Sequence, residues 1–339
     1  MRILLGMSGG LDSTYAAHLL LREGHTVEGA VLIMHDYTEL DAARESAAAL
    51  GIPLHEIDCR ARFDREVVVP FSMDYRAAKT PNPCILCNER VKFAALYEKM
   101  EELGFDRMAT GHYARIVTCD GRLCIRRAED GKKDQSYVLY RLPQEMLARL
   151  IFPLADAKKE DVRTVAVREG LPAADRPESM EICFLPNGDH AAYITERFGA
   201  AARGSFVDTE GRVLAPHRGI LHYTVGQRKG LGVALGARMF ITHIDPVSGN
   251  ITLARDEECA VSSFLAEGIV FSGISPRSAG EDHFLVKLRY LAPLVACRVR
   301  FLEDTRAEVT LEAPVRAVTP GQSAVFYRED FVAFGGFIS

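Results

Sequence analysis

Three groups of residues in this chain have types and spacings that could do chemistry. The first is Ser8-Gly9-Gly10-Leu11-Asp12-Ser13, between an apolar run at 2–7 and a helical pattern that ends near Gly24. A strand passing through a Gly-rich turn into a helix aims several backbone N–H groups, and the positive end of the helix dipole, at one small volume. Two adjacent glycines let an anion approach the main chain without meeting a Cβ. The chemistry implied is anion binding, and a nucleotide phosphate is the expected anion. GxxxxGK[ST] and GxGxxG are both absent, which excludes the kinase-type and dinucleotide loops. The second group is Cys84 and Cys87 in Thr-Pro-Asn-Pro-Cys-Ile-Leu-Cys-Asn, residues 80–88. Asn82 before Pro83 demands an extended or turn conformation, so both cysteines are expected on a constrained loop leading into a helix near Val91. A thiolate at a helix N-terminus is stabilised by the dipole and becomes a usable nucleophile. Half a zinc site, or two small residues in a turn, are the alternatives; no second CxxC or His pair follows at zinc-finger spacing. The third is Cys183 in Glu-Ser-Met-Glu-Ile-Cys-Phe, residues 178–184, which taken alone reads as a buried free cysteine.

The elements that must position these residues alternate. Strands are expected at 2–7, 27–34, 54–58 and 105–110. Helices are expected after Ser8, with Asp12 and Ser13 at the N-cap, and at 39–50, 63–78 and 91–103. That alternation predicts an α/β fold with a doubly wound parallel sheet. Ligands of such sheets lie beyond the carboxyl ends of the strands. The Gly-rich turn, Met34 and Gly111-His112 all fall at that edge. A hairpin turning at Asp120-Gly121 interrupts the pattern at 114–127, and helical signals return at 158–169 and 189–198. After Gly199 short β-rich runs take over. Three domains are expected: 1–198, a small central β-rich unit at 199–264, and a C-terminal β-barrel or sandwich at 265–339.

Composition bounds the reading. At 339 residues the chain is long for one core. With 48% hydrophobic and 26% charged residues it is a globular composition, and no apolar run reaches the ~18 residues of a membrane span. Nothing at the N-terminus reads as a signal peptide, so a cytoplasmic protein without a membrane partner is expected. In that compartment eight cysteines are better read as catalytic, redox or metal-binding candidates than as a disulfide framework. Cys59, Cys119, Cys124, Cys259 and Cys297 read as buried free cysteines. The net charge of −5 does not suggest nucleic acid, but a local basic patch would suffice to bind it.

Seven motifs together resemble one family. Ser8–Ser13 resembles the SGGxDS loop of ATP pyrophosphatases, which hold the pyrophosphate of ATP and pass AMP to an acceptor. With KTPNPCILCNERVKF (79–93), ATGHYAR (109–115), KKDQSYVLY (132–140), ESMEICF (178–184), HYTVGQRKGLG (222–232) and PGQSAVFY (320–327), the chain resembles the tRNA-specific 2-thiouridylases nearly end to end. That resemblance implies an ATP-pyrophosphatase domain that activates C2 of the wobble uridine with AMP and then replaces its oxygen with sulfur. Leu11 stands where the commonest loop has Val, and Cys84 where many relatives have Asp.

Carried over by position, the resemblance implies the following roles. Cys183 carries a persulfide received from a sulfur-relay protein, and Cys87 attacks that persulfide to form a disulfide with Cys183 and release the sulfur. Gly6, Met7, Ser8, Gly9, Gly10, Leu11, Asp12, Ser13, Met34 and Gly111 bind ATP, with Mg2+ accompanying it. Asn82, Pro83 and Cys84 lie against the target base. His112, Lys133, Asp134, Gln135, Arg289, Tyr290 and Gln322 contact tRNA. Cys84, Cys87 and Cys183 also leave open an iron–sulfur cluster with one open iron.

Residues 122–133, RLCIRRAEDGKK, hold five basic against two acidic residues and read either as a solvated hairpin or as a clamp on the RNA backbone. Arg228-Lys229 and Arg289-Tyr290 could add phosphate and stacking contacts. Two rival readings make different demands. An amide-forming ATP pyrophosphatase acting on a small molecule has no need of Cys87 and Cys183. A catalytically idle tRNA-binding protein would be expected to have lost Asp12 or Cys183.

Overall fold

The computed structural model describes residues 1–174, 182–185, 187–233, 236–276, 282–316 and 318–339. Residues 178–181 of the motif that contains Cys183 lie outside the described residues.

The N-terminal half runs β1 (Arg2–Gly6), α1 (Leu11–Arg22), β2 (Thr26–Ile33), α2 (Leu40–Leu50), β3 (Leu54–Asp58), α3 (Arg60–Phe63) and α4 (Val69–Arg76). It continues through α5 (Pro83–Cys87), α6 (Phe93–Glu102), β4 (Arg107–Thr110), the hairpin β5 (Arg115–Cys119) and β6 (Arg122–Arg126), α7 (Gln144–Leu147), β7 (Leu150–Ile151), α8 (Lys159–Arg168) and α9 (His190–Phe198). Five strands form a parallel sheet in the order β3-β2-β1-β4-β7. The order reverses direction at β1/β4, so the turn after β1 opens at the crevice where such sheets take ligands. Period-two alternation serves both faces. Ile3 and Leu5 join a core with Val162 and Ala166 of α8, while Leu4 joins Phe93, Leu96 and Met100 of α6 on the other side. The expected doubly wound sheet is present; β7, two residues long, was not anticipated.

Two expected helices differ in an informative way. Single π-helical turns interrupt them at Asp64–Val68 and Asn88–Lys92. The second lies between α5 and α6, so the cysteine segment is part of one continuous helix rather than a loop leading into it. An extra residue in a turn shifts the hydrophobic stripe, which is why 3.6 periodicity shows only from Val91 onward.

The central unit is a four-stranded sheet, β10-β11-β8-β9, built from β8 (Ser205–Val207), β9 (Val213–Pro216), β10 (Met239–Ile244) and β11 (Ile251–Arg255). The C-terminal unit contains β12 (Ala260–Phe271), β13 (Asp282–Lys287), β14 (Val295–Glu303), β15 (Arg306–Arg316), β16 (Ser323–Arg328) and β17 (Phe331–Ile338). These six close into an antiparallel barrel because β17 pairs with both β16 and β12. The barrel expected from the sequence is therefore present, with one addition. β6 pairs with β17 through Arg126 and Phe331, so the early hairpin extends the barrel's sheet.

The stretch that follows the hairpin is also tied to the barrel by buried polar contacts. Ser136 and Tyr327 hydrogen bond at 3.0 Å, Tyr137 donates to the Ser323 carbonyl at 2.8 Å, and the hydroxyls of Tyr140 and Ser323 meet at 3.1 Å. Much of the KKDQSYVLY motif thus forms a seam inside the protein.

Candidate active site

The site is assembled at the carboxyl edge of the parallel sheet. Gly6 ends β1 and Met7, buried, donates its N–H to the Ala30 carbonyl of β2 at 2.8 Å. The turn is then held by its own hydroxyls. Ser13 donates to the Gly10 carbonyl at 3.0 Å and accepts from the Ser8 N–H at 3.2 Å, and Thr14 donates to Gly10 at 2.9 Å. Gly10, rather than Asp12 or Ser13, occupies the N-cap of α1, leaving Asp12 and Ser13 inside the first turn. Gly9 is needed for two reasons. Its φ is +76°, and a Cβ there would stand 2.4 Å from the Ala42 carbonyl carbon of α2. Gly111, following β4, comes as close from the other side: a Cβ would lie 2.8 Å from both the Asp12 carbonyl carbon and the Ser13 nitrogen. The predicted nucleotide residues from both strands are therefore in one place, with Leu11 buried beneath them.

The cysteine segment reaches the same edge. Asn82 caps α5, its Oδ1 accepting from the Cys84 N–H at 3.1 Å, and Pro83 takes the first helical position. Cys84 is exposed and Cys87 buried. The Cys87 thiol contacts the Met34 sulfur at 3.8 Å, and Met34 directly follows β2. The helix start does not make Cys87 acidic as expected. Burial pushes its thiol up to about 12, against the pull of Lys92 and with Cys84, Cys183 and Cys59 adding to the rise. Cys183 is exposed as a residue. Burial of its sulfur still raises its pKa, opposed by Lys92 and reinforced by Cys84.

Lys92 was given no role from the sequence, yet it is the charge all three thiols share. Burial disfavours its ammonium, but Cys87, Cys84 and Cys183 together hold its pKa above the ordinary lysine value. The signal was positional: five residues separate it from Cys87, the spacing of the π-turn between them. Two other residues were also missed. Tyr113 donates its hydroxyl to Asp12 Oδ1 at 2.8 Å, and Lys159 meets the same oxygen at 2.7 Å. Tyr113 sits in the ATGHYAR motif, but nothing in its spacing points at Asp12.

An iron–sulfur cluster requires its thiols to share one small volume. Among the described residues no group of three His, Cys, Asp or Glu side chains is placed to hold a metal ion. The described residues do not fit a cluster in this arrangement.

The residues expected to touch RNA are placed in several ways. His112 hydrogen bonds Thr110 at 2.8 Å and packs between the rings of Phe93 and Phe152. Burial, helped by Lys92, lowers its pKa to about 3, so the ring is neutral. Asp134 is buried and accepts from Ala128 N, Ser136 N and the Ser136 hydroxyl, so it organises its own loop. Gln135 accepts from the Tyr113 N–H at 2.9 Å. Arg289 donates to the Val225 carbonyl and to Thr319, and Tyr290 packs 6.0 Å from Tyr137. Burial raises Tyr290 to about 12, with Asp134 and Cys84 contributing, which sets the barrel's edge near the cysteine helix. Gln322 donates to the Thr80 carbonyl at 2.6 Å. In the basic segment Arg122 bonds the Ser272 carbonyl, Arg126 pairs with Asp330 and Arg127 with Asp134, while Lys132 is exposed. Arg228 and Lys229 are exposed as well.

The chain matches three family models: tRNA methyl transferase HUP domain over residues 1–187, tRNA methyl transferase PRC-barrel domain over 191–255, and aminomethyltransferase beta-barrel domain over 245–338. It is 40% identical to the tRNA-specific 2-thiouridylase of Clostridium acetobutylicum over 99% of both chains. It is also 40% identical to that of Syntrophotalea carbinolica, over 99% of this chain and 98% of the relative. Among solved structures it is similar to a 4-thiouridine synthetase–RNA complex with bound ATP, at 18% identity and a TM-score of 0.35, covering 52% of this chain and 42% of that one. Another is NMN synthetase from Francisella tularensis, at 20% identity and a TM-score of 0.34, covering 55% and 68%. No helix among the described residues is long and apolar enough to cross a membrane.

Proposed function

This chain belongs to the tRNA-specific 2-thiouridylase family, and from that premise we propose that it transfers sulfur from a cysteine persulfide to C2 of the wobble uridine of tRNA. ATP, arriving with Mg2+, lies in the Ser8–Ser13 turn with Met34 and Gly111 beside it. Asn82, Pro83 and Cys84 face the target base. The observation that carries the reading is the 3.8 Å contact between Cys87 and Met34, which joins the cysteine helix to the nucleotide edge of the sheet.

Uridine O2 bonds to the α-phosphorus, the bond from that phosphorus to the bridging oxygen breaks, pyrophosphate leaves with the electron pair, and the N3 proton is lost. The oxygen at C2, a poor leaving group as a carbonyl, now departs as AMP. The terminal sulfur of the Cys183 persulfide, as its anion, bonds to C2 and displaces it. Cys87 then attacks Cys183 Sγ, forming their disulfide as the sulfur stays with the base, which regains its N3 proton. A dithiol reductant restores both thiols. The exposure of Cys183 suits delivery of sulfur by a relay protein. The buried, high-pKa state of Cys87 keeps it from attacking before RNA closes the site.

The test is reconstitution with unmodified tRNA, Mg·ATP and a persulfide donor, followed by mass spectrometry of the wobble nucleoside. Wild type should yield 2-thiouridine and Cys183→Ser none. Cys87→Ser should still put AMP on the RNA. Thiolation by Cys183→Ser would refute the proposal.

A further inference from the structure

Cys84 is the thiol that the reaction above leaves without a covalent role. It stands three residues before Cys87 in α5, so the two side chains fall on one face of the helix, one turn apart. Cys-X-X-Cys is the spacing of dithiols that cycle through a disulfide. Neighbours at i and i+3 lie about 5–6 Å apart at Cβ, and a disulfide draws them to about 4 Å. The chain has slack for that closure, because the π-turn at Asn88–Lys92 begins directly after Cys87. The two thiols also differ as such a pair requires: Cys84 is exposed and Cys87 buried. Cys183 belongs to a separate segment, whose Phe184 packs edge-on against Phe63 and Phe71. Phe184 and Cys87 share one core cluster, which puts the Cys183 segment beside the helix. The charges of both Cys84 and Cys183 bear on Cys87. Cys87 therefore has two thiol neighbours, Cys183 across the packing and Cys84 along its own helix.

Resting on the sulfur transfer above, we propose that Cys84 resolves the Cys87–Cys183 disulfide, so that the oxidised enzyme ends as a Cys84–Cys87 disulfide with Cys183 already free. Cys84, as its thiolate, attacks Cys87 Sγ. The bond between Cys87 and Cys183 breaks, and its electron pair goes to Cys183, which leaves as a thiolate and takes up the proton that Cys84 gave up. One disulfide replaces another, so this step neither oxidises nor reduces the protein. Lys92, whose charge favours the Cys183 thiolate, stabilises the departing group. Attack along one helix also outpaces a thiol arriving from solution. Cys84 faces the target base in the reading above, so the exchange waits until the thiolated nucleoside leaves. Cys183 is then open to a new persulfide. The dithiol reductant attacks the exposed Cys84 Sγ and expels the Cys87 thiolate. Its second thiol then displaces Cys84, so the two electrons come from the reductant, which departs as a disulfide.

One turnover of wild type on tRNA with Mg·ATP, with Cys183 preloaded as its persulfide and no reductant present, tests this. Acid quenching, alkylation with N-ethylmaleimide and peptide mass spectrometry then map the disulfide. Cys84–Cys87 should exceed Cys87–Cys183 by roughly tenfold, with Cys183 alkylated. Cys84→Ser should stop at Cys87–Cys183, and the trapped enzyme should accept no second persulfide until reductant is added. Wild type that accumulates Cys87–Cys183, or a Cys59–Cys87 disulfide, overturns the proposal. A second measurement uses neither tRNA nor ATP. Cys183→Ser equilibrated in glutathione redox buffers should form an intramolecular Cys84–Cys87 disulfide with a single midpoint. Mixed disulfides with glutathione at Cys84, and no Cys84–Cys87 bond, overturn the proposal whatever happens with RNA. The wild-type map and this titration decide the matter even if Cys84→Ser does not fold. If wild type makes no 2-thiouridine while the couple titrates, the sulfur-transfer reading falls and the Cys84–Cys87 pair is upheld.

Discussion

Gln322, on the loop that enters β16 of the barrel, donates its side-chain amide to the carbonyl of Thr80 at 2.6 Å, two residues ahead of the Asn82 cap. The Thr80 N–H returns the contact by donating to the Pro320 carbonyl at 2.8 Å. The last domain thus grips the chain immediately before the cysteine helix begins.

Removing that grip should be felt in the chemistry more than in stability. Gln322→Ala loses one hydrogen bond, about 1 kcal/mol in a chemical denaturation curve. It should lower the single-turnover thiolation rate while leaving ATP affinity unchanged. An equal fall in ATP affinity would show that the contact acts on the whole site and not on the Thr80 segment.

The thiols should differ in reactivity. With Cys87 buried and raised to about 12, iodoacetamide at pH 8 should alkylate Cys84 and Cys183 at least about tenfold faster than Cys87. Peptide mass spectrometry over a time course reads this directly. Equal rates would mean that Cys87 is open in solution.

His112 should make the fold acid-sensitive. Its pKa is about 3 folded and 6.5 as a free side chain. Between those values the unfolded chain binds the extra proton, so stability falls as pH drops from about 6.5, by at most ~1.4 kcal/mol per pH unit. His112→Gln should show a shallower loss between pH 6.5 and 4.5 in urea titrations. Parallel wild-type and variant profiles would place the acid sensitivity elsewhere.

Lys132, exposed at the end of the basic segment, and its neighbour Lys133 are the pair to test against RNA. Reversing both charges should weaken tRNA binding and reduce the slope of log K against log salt by about 1–2. An unchanged slope would remove them from the interface.

How much of this was legible follows from the range of each signal. The parallel sheet was readable because β1 to β4 each carry their own apolar pattern and the helices between them their own stripe. The Gly-rich turn was readable because Gly9 and Gly10 answer a local need of the backbone. The cysteine helix was misplaced by several residues because the π-turn at Asn88–Lys92 breaks the 3.6-residue period on which the helix reading relied. β7 was missed because two residues carry no periodicity. Lys92 and Lys159 were missed for a different reason: a lysine's partners are set by tertiary structure, and Asp12 lies 147 positions from Lys159. The burial that makes Cys87 a weak acid is likewise long-range, and it outweighs the helix dipole on which the local reading was based.

The pairing of the early hairpin with the final strand has a practical corollary. A chain cut before the barrel would keep the whole parallel sheet and the Gly-rich turn, yet β6 would be left with a bare hydrogen-bonding edge and the buried Tyr137 and Tyr140 would face water. Such a fragment should aggregate rather than act as a minimal adenylating enzyme. Anyone trimming or transplanting this enzyme therefore has to move both ends of the polypeptide together.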